Sequence, residues 1–320
     1  MLPGMTRPTL VLDSASLYYR SYYALPSSMT APDGRPHQAL RGFLTTMARL
    51  VEQHQPAGLV AAWDADWRPS WRVGLLPEYK AQRVAESDDG SGTTEAEPDD
   101  LGPQAEAIAE LLDALGIARW GVPGYEADDV IGSVASQVPG PKVVVSGDRD
   151  LVQVIDGRTW LHLAVNGGMP KWPILDPLAA EERFGVPAHR YVDLAVLRGD
   201  PSDGLPGVPG IGAKTAASLV AAFGDCAGIL RAARDEAGKP MTPRLASVLL
   251  ANEDYLDRAV QVASVVRDLR LPGTAAALPI GTAGQAASAL AESWGVGRQL
   301  AELVAVIGAQ TGPGAQTEPE

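Results

Sequence analysis

Cysteine is almost absent from this chain. Cys226 stands alone among 320 residues, which excludes an internal disulfide and a thiolate-bound metal. Histidine is nearly as scarce: His37, His54, His162 and His189 are scattered without the spacing of a ligand set. No apolar run approaches the length of a membrane span, so no membrane partner is expected. The opening MLPGMTRPTLVLD carries one Arg, passes straight into a strand pattern and does not read as a signal peptide. A cytoplasmic location is the expectation. Basic charge is also in deficit: 26 Lys and Arg stand against 39 Asp and Glu, a formal net charge of -13. Taken alone, that argues against nucleic acid as a partner.

The deficit is local. Ala85–Asp100 holds Glu86, Asp88, Asp89, Glu95, Glu97, Asp99 and Asp100 with no Lys or Arg. Nine further acids stand at breaks after apolar runs or in short loops. They are Asp13 in TLVLDS, Asp64 in AAWDA, Glu126, Asp128 and Asp129 in YEADDV, Asp148 and Asp150 in SGDRD, and Asp200 and Asp203 in GDPSDG. With these two groups set aside, the rest of the chain is mildly basic. An acid at the carboxyl end of a buried parallel strand points into the crevice where α/β sheets bind ligands. Many such acids converge only if cations neutralise them, and all-oxygen donor sets suit hard ions such as Mg²⁺ and Mn²⁺. The pattern predicts two or more bound ions and phosphodiester hydrolysis. Each acid alone has a plainer reading: Asp13 or Asp64 as a helix cap, the YEADDV triplet as favourable charge at a helix N-terminus.

Hydrophobic residues make up 46% of the chain, enough for a sizeable core. Thr9–Asp13, Leu59–Trp63 and Lys142–Val145 read as buried strands. The stretch after Asp13, Gln38–His54, Ala105–Gly116 and Asp128–Ser136 read as helices, and Thr159–Val165 with Lys171–Leu175 as a hairpin. Strands alternating with helices predict an α/β fold with a mostly parallel central sheet. Val84–Gly102 is low in complexity and is expected to be disordered. From about residue 176 the pattern turns to helices and tight turns. Residues 176–280 are expected to form a helical part, and 281–320 a C-terminal helix with a flexible tail.

Two basic constellations complete the pattern. In LPGVPGIGAKTAASLVAAFG, Gly/Pro-rich residues separate helical Tyr191–Asp200 from helical Ala213–Phe223. Gly207, Gly210 and Gly212 would let backbone N–H groups approach a phosphate, with Lys214 adding charge. A plain tight turn is the alternative. In WRPSWRVGLLPEYKAQR, Arg68, Arg72, Lys80 and Arg83 alternate with Trp67, Trp71 and Tyr79, a mixture that suits a frayed or single strand. The tryptophans read better as core. Lys80 and Arg83 are expected to share a helical face.

The blocks LVLDSASLYYRSYYAL, WDA, EYKAQR, GYEADDVIG, SGDRDL and GDPSDGLPGVPGIGAKTA, in this order, resemble the bacterial 5′-nuclease family, the flap endonuclease and 5′→3′ exonuclease module of the DNA polymerase I type. The resemblance spans about Leu10 to Arg270. It implies a PIN-like nuclease core over 1–175, a helical arch near 67–116 and a helix–hairpin–helix that binds duplex. It implies one metal site from Asp13, Asp64, Glu126, Asp128 and Asp148, and a second from Asp148, Asp150, Asp200 and Asp203, with Asp129 beside them. Asp148, as the shared ligand, is expected to be the acid most needed for catalysis. Lys80 and Arg83 would meet the scissile phosphate, Tyr79 would stack on a base, and Arg20 would grip DNA. A potassium ion at the hairpin is also implied. The implied partner of this stand-alone enzyme, expected to be a monomer, is DNA with 5′ flaps, nicks, gaps or free 5′ ends. Two departures stand out: the acidic Val84–Gly102 in the arch, and Gly204 where the family usually has Asn. The rival readings are a PIN-like ribonuclease and a non-catalytic protein that binds DNA junctions.

Overall fold

The structure, a computed structural model, describes residues 7–86, 93–235, 237–273, 275–278 and 283–310. The chain opens with β1 (Thr9–Asp13), α1 (Ser14–Ala24), α2 (Gln38–His54), β2 (Gly58–Ala62) and α3 (Ser70–Leu75). A small hairpin, β3 (Val84–Glu86) and β4 (Thr93–Glu95), precedes α4 (Gly102–Ala114), β5 (Ala118–Trp120), α5 (Ala127–Gln137), β6 (Lys142–Ser146), β7 (Thr159–Leu163) and β8 (Ile174–Leu175). Helices follow: α6 (Pro177–Phe184), α7 (Tyr191–Arg198), α8 (Ala213–Phe223), α9 (Cys226–Arg234), α10 (Pro243–Ala251) and α11 (Glu253–Ala263). The short β9 (Ala276–Ala277) then leads to α12 (Gln285–Ser293) and α13 (Gly297–Gly308).

Seven strands form one sheet in the order β5-β2-β1-β6-β7-β8, with β9 antiparallel on β2. The pairs β1–β2, β1–β6, β2–β5 and β6–β7 are parallel, and β7–β8 is antiparallel. β1 lies between β2 and β6, so the chain passes to opposite sides of it. A crevice opens beyond the carboxyl ends of strands at such a switch point. Register brings Asp13 level with Ala62 of β2, and Leu12 level with Val145 of β6.

The TLVLD and KVVVS strands are buried on both faces, which is why they read as continuous apolar runs. Alternate residues serve two cores. Val11, Val60 and Val144 pack with α5, α7 and α8. Leu10, Leu12, Leu59, Val143 and Val145 pack with α2, α4, α12 and α13. Each fully buried Leu or Val stabilises the fold by roughly 1.5–3 kcal/mol. The second core shows that the C-terminal helices are no appendage: Trp294, Leu300, Leu303 and Ile307 return to cover α2.

The Val84–Gly102 expectation needs correction. Residues 84–86 and 93–95 pair as β3 and β4, and α4 already begins at Gly102. Acids of this stretch dock on α1, where the Tyr19 hydroxyl donates to Glu97 at 3.0 Å and that of Tyr22 to Asp100 at 2.6 Å. Residues 87–92, and the expected tail 311–320, lie outside the described residues. Among the described residues no single helix is long and apolar enough to cross a membrane.

Candidate functional site

The acids meet at the carboxyl edge of the sheet because most of them follow a strand or open a helix there, and the turn after α7 adds Asp200 and Asp203. Asp13 ends β1 and caps α1, accepting the Ser16 N–H at 3.1 Å. Its other oxygen accepts the Ser146 hydroxyl, delivered by the last residue of β6. Ser146 Oγ in turn accepts the Asp148 N–H at 2.8 Å, and Ser16 Oγ accepts the Gly147 N–H at 2.7 Å. Two serines thereby lock the end of β1 to the loop after β6. Asp64, just past β2, accepts the Ala127 N–H at 2.8 Å and so fixes the start of α5. The capping role and the site-forming role fall on the same carboxylates.

A cavity of about 590 Å³ opens there. Asp13, Asp64, Asp128, Asp148 and Asp200 line it, facing Lys80, Arg83 and Arg20. Burial pushes the Asp13 carboxyl up to about 7, with the Asp64 and Asp148 charges adding to the rise. Burial raises Asp128, Asp148 and Asp150 as well, and each is further raised by acids nearby: Asp148 and Asp13 on Asp128, Asp203 and Asp200 on Asp148, and Asp148 and Asp203 on Asp150. Asp148 thus stands between two groups of acids. Among the described residues no three ligating side chains close around a single point. The donor set is nonetheless all oxygen, and these carboxylates carry more negative charge than the neighbouring cations offset. Both features fit hard divalent cations.

The remaining acids of the YEADDV block are spent on protein cations. Asp129, fully buried, receives Arg72 in two parallel bonds of 2.7 and 2.8 Å. It also accepts the Val266 N–H at 2.9 Å and the Glu126 N–H at 3.2 Å. With its lone pairs occupied, Asp129 braces the start of α5 against the segment after α11. It does not line the cavity, contrary to the expectation that placed it among the ligands. Glu126 binds Arg72 and Lys80 and accepts the Tyr79 hydroxyl at 2.7 Å. It therefore meets the cavity through Lys80. Although burial works against its charge, Lys80 is held well above the usual lysine range by Tyr79, Glu126 and other acids.

Three further expectations change. Tyr79 is 5% exposed and packs in the core, so its ring is not available to stack on a base. Lys80 and Arg83 do not share a helical face: Lys80 has φ 49°, a left-handed conformation, and Ala81–Arg83 form a single 3-10 turn. Arg72 is core structure, 2% exposed, and also donates to the Val262 carbonyl at 2.9 Å. The sequence reading missed its role as the counterion of Glu126 and Asp129; its position four residues after Arg68, on an otherwise apolar helix, was the available signal. The Ser146 lock was missed too, because a lone Ser after VVV carries no pattern.

Arg20 stands at the cavity wall with two N–H groups on the carbonyls of Ala164 and Val165. The Asp200–Asp203 loop closes through the bonds from Asp200 N to Leu205 O and from Leu205 N to Asp200 O, 3.0 and 2.9 Å. Asp200 lies 3.6 Å from both Arg149 and Arg198, and Asp203 lies 3.6 Å from Arg83. α7, before this loop, and α8, after it, flank the glycine hairpin. Gly210 and Gly212 face open space, and Lys214 is exposed in the first turn of α8. Gly207 is different. It is buried, and a Cβ there would overlap Gly199 N and the Arg198 carbonyl, while its N–H donates to the Tyr255 hydroxyl at 3.0 Å. Gly207 serves packing against α7, not the approach of a phosphate.

Residues 8–185 match the family model of the 5′-3′ exonuclease, N-terminal resolvase-like domain, and residues 186–286 that of the 5′-3′ exonuclease, C-terminal SAM fold. A 5′-3′ exonuclease of Streptomyces coelicolor is 49% identical over 300 residues, 93% of this chain and 99% of that protein. One from Mycobacterium tuberculosis is 48% identical over 272 residues, 82% of this chain and 85% of that protein. Among solved structures, the bacteriophage T5 flap endonuclease, in a pseudo-enzyme-product complex with DNA and metal ions, superposes with a TM-score of 0.62. The identity there is 17%, covering 94% of this chain and 99% of that one, so the likeness speaks to the fold.

Proposed function

This chain belongs to the 5′-3′ exonuclease family and is a 5′ nuclease, and on that premise we propose that it hydrolyses DNA next to single-strand/duplex junctions: flaps, nicks, gaps and free 5′ ends. The observation that carries the reading is convergence. Acids from the ends of β1, β2 and β6, the start of α5 and the 200–203 loop meet on one open cavity, opposite Lys80, Arg83 and Arg20.

Asp13, Asp64, Asp128 and Asp148 would hold one divalent ion, with Glu126 behind them. Asp148, Asp150, Asp200 and Asp203 would hold another. Mg²⁺ or Mn²⁺ suits this oxygen-only set, and such ions supply polarisation of the phosphate and acidification of water. The protein's own part is positional. The Ser146 and Ser16 bonds fix Asp13 and Asp148, and Lys80 and Arg83 present positive charge where negative charge grows on the phosphate. The exposed backbone at Gly210 and Gly212, with Lys214, offers a sequence-independent grip on a duplex phosphate, and potassium is the proposed ion at that hairpin. A monomer acting in the cytoplasm completes the proposal.

Product mapping tests it. A 5′-labelled flap, a nick and a gapped duplex are incubated with Mg²⁺ or Mn²⁺, beside an RNA flap of the same sequence. Cuts at the junction of the DNA substrates, dependent on the ion, are expected. Preference for the RNA flap would favour the PIN-like ribonuclease, and binding without cutting the non-catalytic protein.

A further inference from the structure

Lys80 is a non-glycine residue in the left-handed region, φ 49°. That conformation costs an L-residue energy and persists only where the surroundings over-determine it. Two sets of contacts do so. From one side, Arg68 donates to the Tyr79 carbonyl at 2.6 Å and to that of Pro77 at 2.8 Å. From the other side comes the loop that carries Asp200 and Asp203. The Lys80 N–H donates to the Asp203 carbonyl at 3.1 Å. Gln82 Nε2 donates to the carbonyls of Ser202 at 2.8 Å and Pro201 at 3.2 Å. Arg83 donates to the Ser202 carbonyl at 2.9 Å.

Gly204 makes this closeness possible. It has φ +73°, and a Cβ there would overlap the Glu78 carbonyl oxygen and press on Lys80 N, 3.3 Å away. In the sequence this glycine stood out only as a departure from the Asn usual in the family. In the structure it lets two turns, one carrying the cations and one carrying acids, lie backbone against backbone.

We propose that Gln82 and Gly204 form a latch, and that they are positioning residues for the nuclease reaction. The latch joins the Lys80–Arg83 turn to the Asp200–Asp203 loop before DNA arrives, so that the cations and the acids reach the phosphate as one preset unit. Preset charges avoid reorganisation at the moment of reaction. The inference rests on the nuclease reading of the same cavity, but neither residue touches the reacting atoms.

The test is single-turnover cleavage of a 5′-flap DNA with Mg²⁺, alongside equilibrium binding of the same flap in Ca²⁺ and a melting curve. Gln82→Met keeps the length of the side chain and removes both donors. Gly204→Ala adds only the obstructing carbon. Gln82→Met should slow cleavage about tenfold, the order expected from losing two modest hydrogen bonds, with binding and melting near the parent's. Gly204→Ala should slow it at least as much. In a Lys80→Ala, Arg83→Ala background, adding Gln82→Met should cost nothing further, because it acts through those residues. Parental rates in both single variants, or an undiminished Gln82→Met effect in that background, would overturn the latch. The parent is the control that separates the two readings: an inactive parent overturns the nuclease assignment and the latch with it, whereas an active parent with fully active variants overturns the latch alone.

Discussion

Arg72→Met removes the cation that joins Glu126 and Asp129 to the backbone after α11. Arg72 and both partners are nearly sealed from solvent, with side-chain exposures of 3%, 2% and 0%. Met fills a similar volume, so the loss is mainly electrostatic. Glu126 keeps Lys80, but Asp129 is left with only the N–H groups of Val266 and Glu126. Breaking a buried pair in this way costs about 3–5 kcal/mol. At about 2–4 °C per kcal/mol for chains of this order, the melting temperature should fall by roughly 10 °C. The loss should depend on pH in a defined sense. Burial already raises the Glu126 carboxyl while Lys80 and Arg72 oppose the rise, so without Arg72 it moves further above its unfolded value and the native state binds the extra proton. Stability of the variant then falls as pH rises above the ordinary carboxylate range. The gap between parent and variant should be wider at pH 8 than at pH 5, and adding Asp129→Asn should recover part of it. Calorimetry at the two pH values measures both effects. A variant melting with the parent at pH 8 would refute the reasoning, and so would a gap that widens on acidification.

Asp148→Asn keeps the shape of a side chain placed between two groups of acids; cleavage should drop by at least about a hundredfold in single-turnover assays, the several kcal/mol that metal clamps supply, while flap binding persists. Gly212→Val points a branched side chain into open space at an ordinary backbone angle, so duplex affinity and its salt dependence should both weaken while the melting curve holds; Gly207→Ala should instead lower the melting temperature, because it strikes α7. His54 and His162, in contact at 3.0 Å, are both pushed down to about 4, chiefly by burial. Their neutral forms contribute stability above the ordinary histidine range that is lost as pH falls through about 4; a His54→Leu, His162→Leu variant should lose less stability than the parent between pH 7 and 4.5 in denaturant titrations.

The parts of this protein that were legible in the sequence are those written in local pattern. TLVLD and KVVVS declare themselves because a strand buried on both faces has no polar alternation to confuse it, and Gln38–His54 because its apolar residues repeat at helical spacing. The acids were visible because they sit where those runs stop. What stayed hidden depends on partners distant in sequence. Asp129 and Asp128 are neighbours with the same chemistry, and only Arg72, 57 residues from Asp129, divides them into brace and cavity wall. Gly207 and Gly212 look alike in the hairpin, yet one is pressed on α7 and the other faces solvent. The basic block 67–83 misled in a similar way. Its period suggested a helix across Lys80, whereas contacts from the 200–204 loop hold that residue in a conformation no helix contains.

The most direct test of the central claim, that these acids form the divalent-metal centre of a 5′ nuclease, is anomalous diffraction from crystals of the protein soaked in Mn²⁺. Manganese peaks are expected in the cavity, one among Asp13, Asp64, Asp128 and Asp148 and another among Asp148, Asp150, Asp200 and Asp203, with none at Asp129. A cavity without manganese at saturating concentration, or peaks only at the exposed acids Glu97 and Asp99, would contradict it.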